Sequence, residues 1–378
     1  MATLLKSLRQ AQATAEEAAV ESICGKNSAK AISKFNDLVA EIAGQVYKNE
    51  GTIDNQHLIA LDLAMMLKQS AEENRYANPI YKGKTVPFYD ADVFSKGLRY
   101  AAHATAAYSS DKATICDLVE GVTPEDIIHV EACSAVWAPN YYLCIDRQTD
   151  EIVLAIRGTA GVEDALTDVD IMSVPLFGGQ VYGGIFQTAT TVYEQMAKKM
   201  YDLHMETGKK IAIVGHSLGG GVAVLFMIKL FGEELGLLKG LKAYQTCRCW
   251  SFAAPPCFGP LVKMPRWVHS TTYSFIHHVD VVPRCSLNNI VKTVVAFKQV
   301  DEMEISSAER LSYISSTDAR LEQHLPDYVD LTPELDEHYL ALRNIGTLLL
   351  LYPGEDGATT CCQVQPEQLD RVLLHPEL

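Results

Sequence analysis

At 378 residues with 48% hydrophobic content, the chain can fill one large core and carry an appendage, which excludes a disordered or fibrous protein. Forty-seven acidic against thirty-two basic side chains leave a formal charge of −15, which repels phosphate backbones and excludes nucleic acid as an expected partner. No run approaches the roughly 18 apolar residues of a membrane span, Thr347-Leu348-Leu349-Leu350-Leu351 being only strand-sized, and the start Met1-Ala2-Thr3-Leu4-Leu5-Lys6 has no signal-peptide core. A soluble, cytoplasmic protein with reduced, mostly buried thiols is therefore expected. Neither Cys247/Cys249 nor Cys361/Cys362 has zinc-ribbon or redox spacing.

In chain order, residues 1 to about 75 read as helical. They are rich in Ala, Glu and Lys and free of proline, with Ile32, Phe35, Val39, Ile42 and Val46 at helical spacing and a second stripe through Leu58, Leu61, Met65 and Met66. Residues 1–80 are expected to form a helical N-terminal cap or extension, and residues 85–378 the main domain. There the pattern changes to strands: Ile127 to Val130, Ala135 to Trp137, Tyr141 to Ile145, a turn over Asp146 to Asp150, then Ile152 to Ile156. Helices near Gln187 to His204 and Leu218 to Phe231 alternate with strands at Lys210 to Val214, Cys249 to Phe252 and Thr272 to Ile276. That alternation predicts an α/β sheet covered on both faces.

One junction in this pattern carries chemistry. The apolar run Ile211-Ala212-Ile213-Val214 enters Gly215-His216-Ser217-Leu218-Gly219, and a strongly apolar helix follows. A serine on such a strand-to-helix turn reads as a nucleophile elbow, where flanking glycines let strand and helix close around the hydroxyl. A capping box would need Glu or Gln at Gly220, and a phosphate loop would need Lys and Ser or Thr at Gly221-Val222. An elbow serine needs a carboxylate further along the chain and then a histidine. Asp280 follows the strand ending Phe275-Ile276-His277-His278, just past the carboxyl end where open α/β sheets bind ligands.

The segment His277-His278-Val279-Asp280-Val281-Val282-Pro283-Arg284 resembles the aspartate motif of the fungal-type (class 3) lipases, especially their sn-1-specific diacylglycerol lipase branch. Leu154-Ala155-Ile156-Arg157-Gly158-Thr159 is similar to that family's oxyanion strand, Asp164-Ala165-Leu166-Thr167-Asp168 to the segment after it, and Gly183-Gly184-Ile185-Phe186 to its next motif. Phe252-Ala253-Ala254-Pro255-Pro256 and Leu351-Tyr352-Pro353-Gly354 resemble its later strands, so the likeness runs in order from residue 125 to 378. Tyr182 departs from the pattern, standing where many relatives have histidine.

The resemblance implies an α/β-hydrolase-type sheet with flanking helices, Ser217 as nucleophile, Asp280 as orienting acid, and the amides of Thr159 and Leu218 as oxyanion hole. Leu218 also earns that role physically, since its N–H opens a helix where negative charge develops. The base stays open among three alternatives: a histidine beyond Leu378, His324 in a locally family-like setting, or His375 or His338. His216 is expected to be structural, because adjacent residues point apart. The implied activity is acyl-ester hydrolysis of acylglycerols or other lipid esters, with no cofactor and no metal. Ile171 to Gly184 is read as a lid or pocket wall, peripheral membrane contact is left open, and a lipase-like module that binds lipid or protein without turnover is the reading from a different class.

Overall fold

A computed structural model describes residues 65–66, 86–132, 139–158, 173–232, 236–278, 280–286, 289, 300, 303–315, 342–354 and 358–369. The chain divides into two compact units, one of Met1–Ile80, Leu287–Tyr339 and Asp370–Leu378, the other of Tyr81–Ser286 and Leu340–Leu369.

The second unit is built on a nine-stranded sheet. In chain order its strands are β1 (Val86–Pro87), β2 (Ile127–Glu131), β3 (Tyr141–Asp146), β4 (Glu151–Ile156), β7 (Lys210–His216), β8 (Cys247–Phe252), β10 (Thr272–His277), β11 (Thr347–Pro353) and β12 (Thr359–Val364). Their spatial order is β1-β12-β11-β10-β8-β7-β4-β3-β2. The central strands β4, β7, β8, β10 and β11 run parallel, and antiparallel pairs close both edges. All six residues of β4 are buried, as a sheet covered on both faces requires.

Alternate residues feed two cores. Leu143, Ile152, Leu154, Ile156, Ile211 and Ile213 face a core shared with helices α3 (Gly183–Thr207) and α4 (Leu218–Phe231). Tyr142, Cys144, Val153, Ala155, Ala212 and Val214 face a second core, under α1 (Ala91–Ala106) and α2 (Lys112–Leu118). Every residue of α4 is buried and all but Lys229 are apolar, so this helix belongs to the interior. Each fully buried Leu or Phe on it contributes about 1.5–3 kcal/mol.

The predicted strands and α4 lie where the alternation placed them, with ends shifted by a residue or two. Helices α1 and α2 were not read from the sequence. Their starts are nonetheless encoded: Asp90 Oδ1 accepts the N–H groups of Asp92 and Val93, and Asp111 accepts that of Thr114. The stretch read as a lid or pocket wall is, over residues 173–184, regular structure. Strands β5 (Ser173–Leu176) and β6 (Gly179–Tyr182) form a hairpin that a two-residue strand, β9 (Phe258–Gly259), extends. Phe177 and Gly178 turn it with φ of 51° and 75°, the mirror-image turn that fits strand twist, and Gly183-Gly184 open α3. The Ala135 to Trp137 strand lies outside the described residues.

In the first unit, Met65 packs with Val300 and Tyr313. The helix Ser307–Ser315 opens on a reciprocal cap, Ser306 N–H donating to Glu309 and Glu309 N–H to Ser306 Oγ. Met65 and Met66 are helical, and the rest of the N-terminal stripes lie outside the described residues.

Candidate active site at the carboxyl end of the sheet

Ser217 stands between β7 and α4 with φ 56° and ψ −133°, a backbone conformation costing a non-glycine residue on the order of 1–3 kcal/mol. The surroundings hold it there. Ser217 N–H donates to Phe252 O on neighbouring β8 at 2.9 Å, and Gly220 N–H donates to Ser217 O at 2.9 Å. A Cβ on Gly215 would lie 2.0 Å from Gly219 O, and one on Gly219 would lie 2.4 Å from Ile156 O. Strand and helix thus cross too closely for side chains, which is the physical reason for glycine two residues either side of Ser217. The Ser217 side chain makes no capping bond to α4, so its hydroxyl is not consumed in closing the helix. Leu218 is the first residue of α4, and its N–H is among the donors a helix start leaves unpaired.

The end of β4 forms the adjoining wall. Arg157 N–H continues the ladder to Asn140 O at 2.9 Å, and Gly158 then passes directly over the elbow. A Cβ on Gly158 would meet His216 O at 2.5 Å and Ser217 Cβ at 2.9 Å. The next residue, Thr159, lies outside the described residues. His216 has an exposed side chain, with Nδ1 2.9 Å from the Tyr108 hydroxyl. Partial desolvation of its ring lowers its pKa, against the pull of the Asp280 charge.

Asp280 lies beyond the carboxyl end of β10, in the same sheet margin as the elbow. Register brings His216, Phe252 and Phe275 side by side across β7, β8 and β10. Asp280 N–H donates to His277 O at 2.9 Å, and its Oδ1 accepts Val282 N–H at 3.0 Å. Burial raises the Asp280 pKa, opposed by the Val282 N–H and the positive ends of Arg284, His216 and His277. A carboxylate held off water with its charge incompletely compensated suits a site that would welcome a nearby imidazolium. Arg284 is fully buried and donates from Nη2 to His278 O at 2.8 Å, bracing the loop that carries Asp280. The His277 and His278 rings meet edge-on with centroids 6.3 Å apart, and among the described residues no group of three or more His, Cys, Asp or Glu could hold a metal ion.

Of the residues singled out from sequence, Ser217, Leu218 and Asp280 are therefore brought to one sheet margin. Thr159, His324, His338 and His375 lie outside the described residues. Tyr108 was missed. Nothing in Ala106-Ala107-Tyr108-Ser109-Ser110 marks it, and only the folding of α1 against β7 carries it to the elbow.

A central parallel sheet between helix layers, with a serine on a glycine-tight turn after a middle strand, is the architecture of the α/β-hydrolases. Residues 153–290 match the family model for lipase (class 3), so over this region the chain is similar to the class 3 lipases. It is 28% identical over 180 residues to diacylglycerol lipase-beta of Mus musculus, an overlap of 45% of this chain and 25% of that protein. It is 22% identical over 222 residues to secreted mono- and diacylglycerol lipase A of Penicillium cyclopium, covering 54% of this chain and 68% of that one. The chain thus matches about a quarter of the mouse relative's length. The crystal structure of lipase from Rhizopus microsporus var. chinensis superposes with a TM-score of 0.51 at 16% identity, over 79% of this chain and 90% of that one, which shows the shared fold.

Proposed function

We propose that the chain is a serine hydrolase of lipid esters, acting on acylglycerols or related substrates through an acyl-enzyme on Ser217. The observation that carries this reading is the elbow itself: a serine at positive φ, its hydroxyl unused as a helix cap, beside a helix-start amide. Ser217 Oγ attacks the ester carbonyl while a histidine takes its proton, and Asp280 orients and stabilises the resulting imidazolium. The amides of Thr159 and Leu218 hold the tetrahedral oxyanion. The histidine then protonates the leaving alcohol, and water releases the fatty acid by the reverse sequence. His324 is proposed as that base. The names of the relatives, mono- and diacylglycerol lipases among them, support the substrate class. Among the described residues no helix is long and apolar enough to cross a membrane.

The test is hydrolysis of a short-chain p-nitrophenyl ester and of a diacylglycerol by the wild type and the Ser217→Ala, His324→Ala, His338→Ala and His375→Ala variants. Turnover lost with Ser217 and with His324 alone among the three histidines supports the full assignment. Loss with a different histidine reassigns the base, and absence of turnover in the wild type would favour a module that binds without reacting.

A further inference from the structure

Three backbone and side-chain groups converge behind the elbow. A Cβ on Gly158 would meet His216 O at 2.5 Å, the Tyr108 hydroxyl at 2.8 Å and Ser217 Cβ at 2.9 Å, so all three crowd the glycine. Tyr108 lies just beyond the C-terminus of α1, where its own N–H donates to Thr105 O at 3.1 Å. The Arg157 guanidinium lies over its ring, 5.3 Å from the centroid. Its hydroxyl stands 2.9 Å from His216 Nδ1, and the two rings meet edge-on at 5.9 Å. One side chain therefore touches both segments that border Ser217: the end of β4 and the end of β7.

The direction of the hydrogen bond follows from the chemistry. Burial raises the Tyr108 pKa above that of an ordinary phenol, although the Gly158 backbone amide and Arg157 oppose the rise. The phenol thus keeps its single proton at neutral pH. The Gly158 amide donates to the phenol oxygen, which leaves the phenol proton available to His216 Nδ1. His216 Nδ1 is then the acceptor, and its own proton sits on Nε2.

We propose that Tyr108 is a positioning residue for the acyl-transfer step, its hydroxyl holding Gly158 and His216 so that Ser217 and the Leu218 amide stay preformed for the developing oxyanion. The proposal rests on Ser217 as the nucleophile and extends that reading to a residue outside the triad. Oxyanion donors act only if they are already aimed at where charge develops, so loosening the segments that border Ser217 and Leu218 reaches the transition state and leaves substrate binding largely alone.

Tyr108→Phe keeps the ring beneath Arg157 and removes only the hydroxyl. With a short-chain p-nitrophenyl ester, kcat should fall about 10- to 100-fold, less than the loss of a direct oxyanion donor, with KM within about twofold. Labelling of Ser217 by an alkyl fluorophosphonate, whose phosphonyl oxygen enters the same pocket, should slow in the same proportion while the melting temperature stays put. A kcat unchanged within about twofold, or a loss confined to KM, would overturn the proposal. Nitrogen-15 NMR of His216 supplies a second readout: the wild type should show the Nε2-protonated tautomer, and Tyr108→Phe a mixture with faster exchange of the Gly158 amide. If the wild type neither labels nor turns over, the hydrolase reading fails by itself. The tautomer then decides the hold of Tyr108, and an unaltered His216 signal in the variant overturns it.

Discussion

Asp146 and Asp280 are both withdrawn from water at the margins of one sheet, yet their surroundings treat the charge in opposite ways. Asp146 ends β3 beside the amino end of β4 and β7, while the elbow occupies the carboxyl end, five residues or about 17 Å along the strands. Asp146 is fully buried and fully answered: Arg99 donates from Nε at 2.7 Å and Nη2 at 2.8 Å, His103 Nε2 lies at 3.1 Å, and Gln148 N–H donates at 2.9 Å. Burial alone would push its carboxyl up, but the bonds from His103, Arg99 and the Gln148 amide hold it well below the usual carboxylate range. His103 Nδ1 passes the chain on to the Tyr142 hydroxyl at 2.8 Å, so the network closes on itself and pins α1 to β3. Asp280, by contrast, is left with its pKa raised. A polar cluster that satisfies itself secures the fold, whereas one left short of compensation is ready for a partner that arrives during a reaction.

Removing groups one at a time can break this contrast. The largest expected effect is at the elbow: Ser217→Ala should lower ester turnover by on the order of 10⁵- to 10⁶-fold in steady-state assays, with thermal unfolding little changed. Asp280→Asn should follow, with a loss of about 10⁴-fold in kcat, as when a triad carboxylate no longer orients its histidine. Because the folded-state pKa of Asp280 is raised, its ionised form costs stability at neutral pH, so the same variant should melt at the wild-type temperature or slightly above. Asp146→Ala should do the reverse. Leaving Arg99 without its buried partner is expected to cost about 3–5 kcal/mol in denaturant unfolding, with kcat of the folded protein retained. Equal stability losses for Asp146→Ala and Asp280→Asn would dissolve the distinction.

The smallest effect is the pH dependence of unfolding. Burial lowers the pKa of His103 despite the pull of Asp146, so its stabilisation is present above the ordinary histidine range and lost as pH falls through it toward the folded value. The depressed Asp146 carboxyl contributes stability above the ordinary carboxylate range, lost on acidification below about pH 4. Melting temperatures from pH 8 to 3 should therefore fall in two stages, and Asp146→Ala should flatten the lower one.

How much of this was legible in the chain differs between the two clusters. The elbow is a local pattern, since the glycines at 215 and 219 answer contacts made within five residues and beside one neighbouring strand. Asp280 was found by position, just past a strand readable from its apolar run. The Arg99–His103–Asp146 network joins residues 43 and 47 apart, which no local spacing announces. Helix α1 escaped for a related reason: its buried face is made of Val93, Gly97, Tyr100, His103, Ala104 and Ala106, while Leu98 is 76% exposed, so small and polar residues face the core and the apolar stripe is faint. Tyr108 is invisible for the same reason, its meaning arising only where α1 meets the end of β7.

The most direct test of the central claim is to trap the acyl-enzyme. The chain would be mixed with a short-chain p-nitrophenyl ester, quenched in acid during turnover, digested and examined by mass spectrometry. The expected result is a single acyl group on the peptide carrying Ser217, absent from the Ser217→Ala variant along with p-nitrophenol release. Acylation of another residue, or undiminished release by Ser217→Ala, would contradict the account.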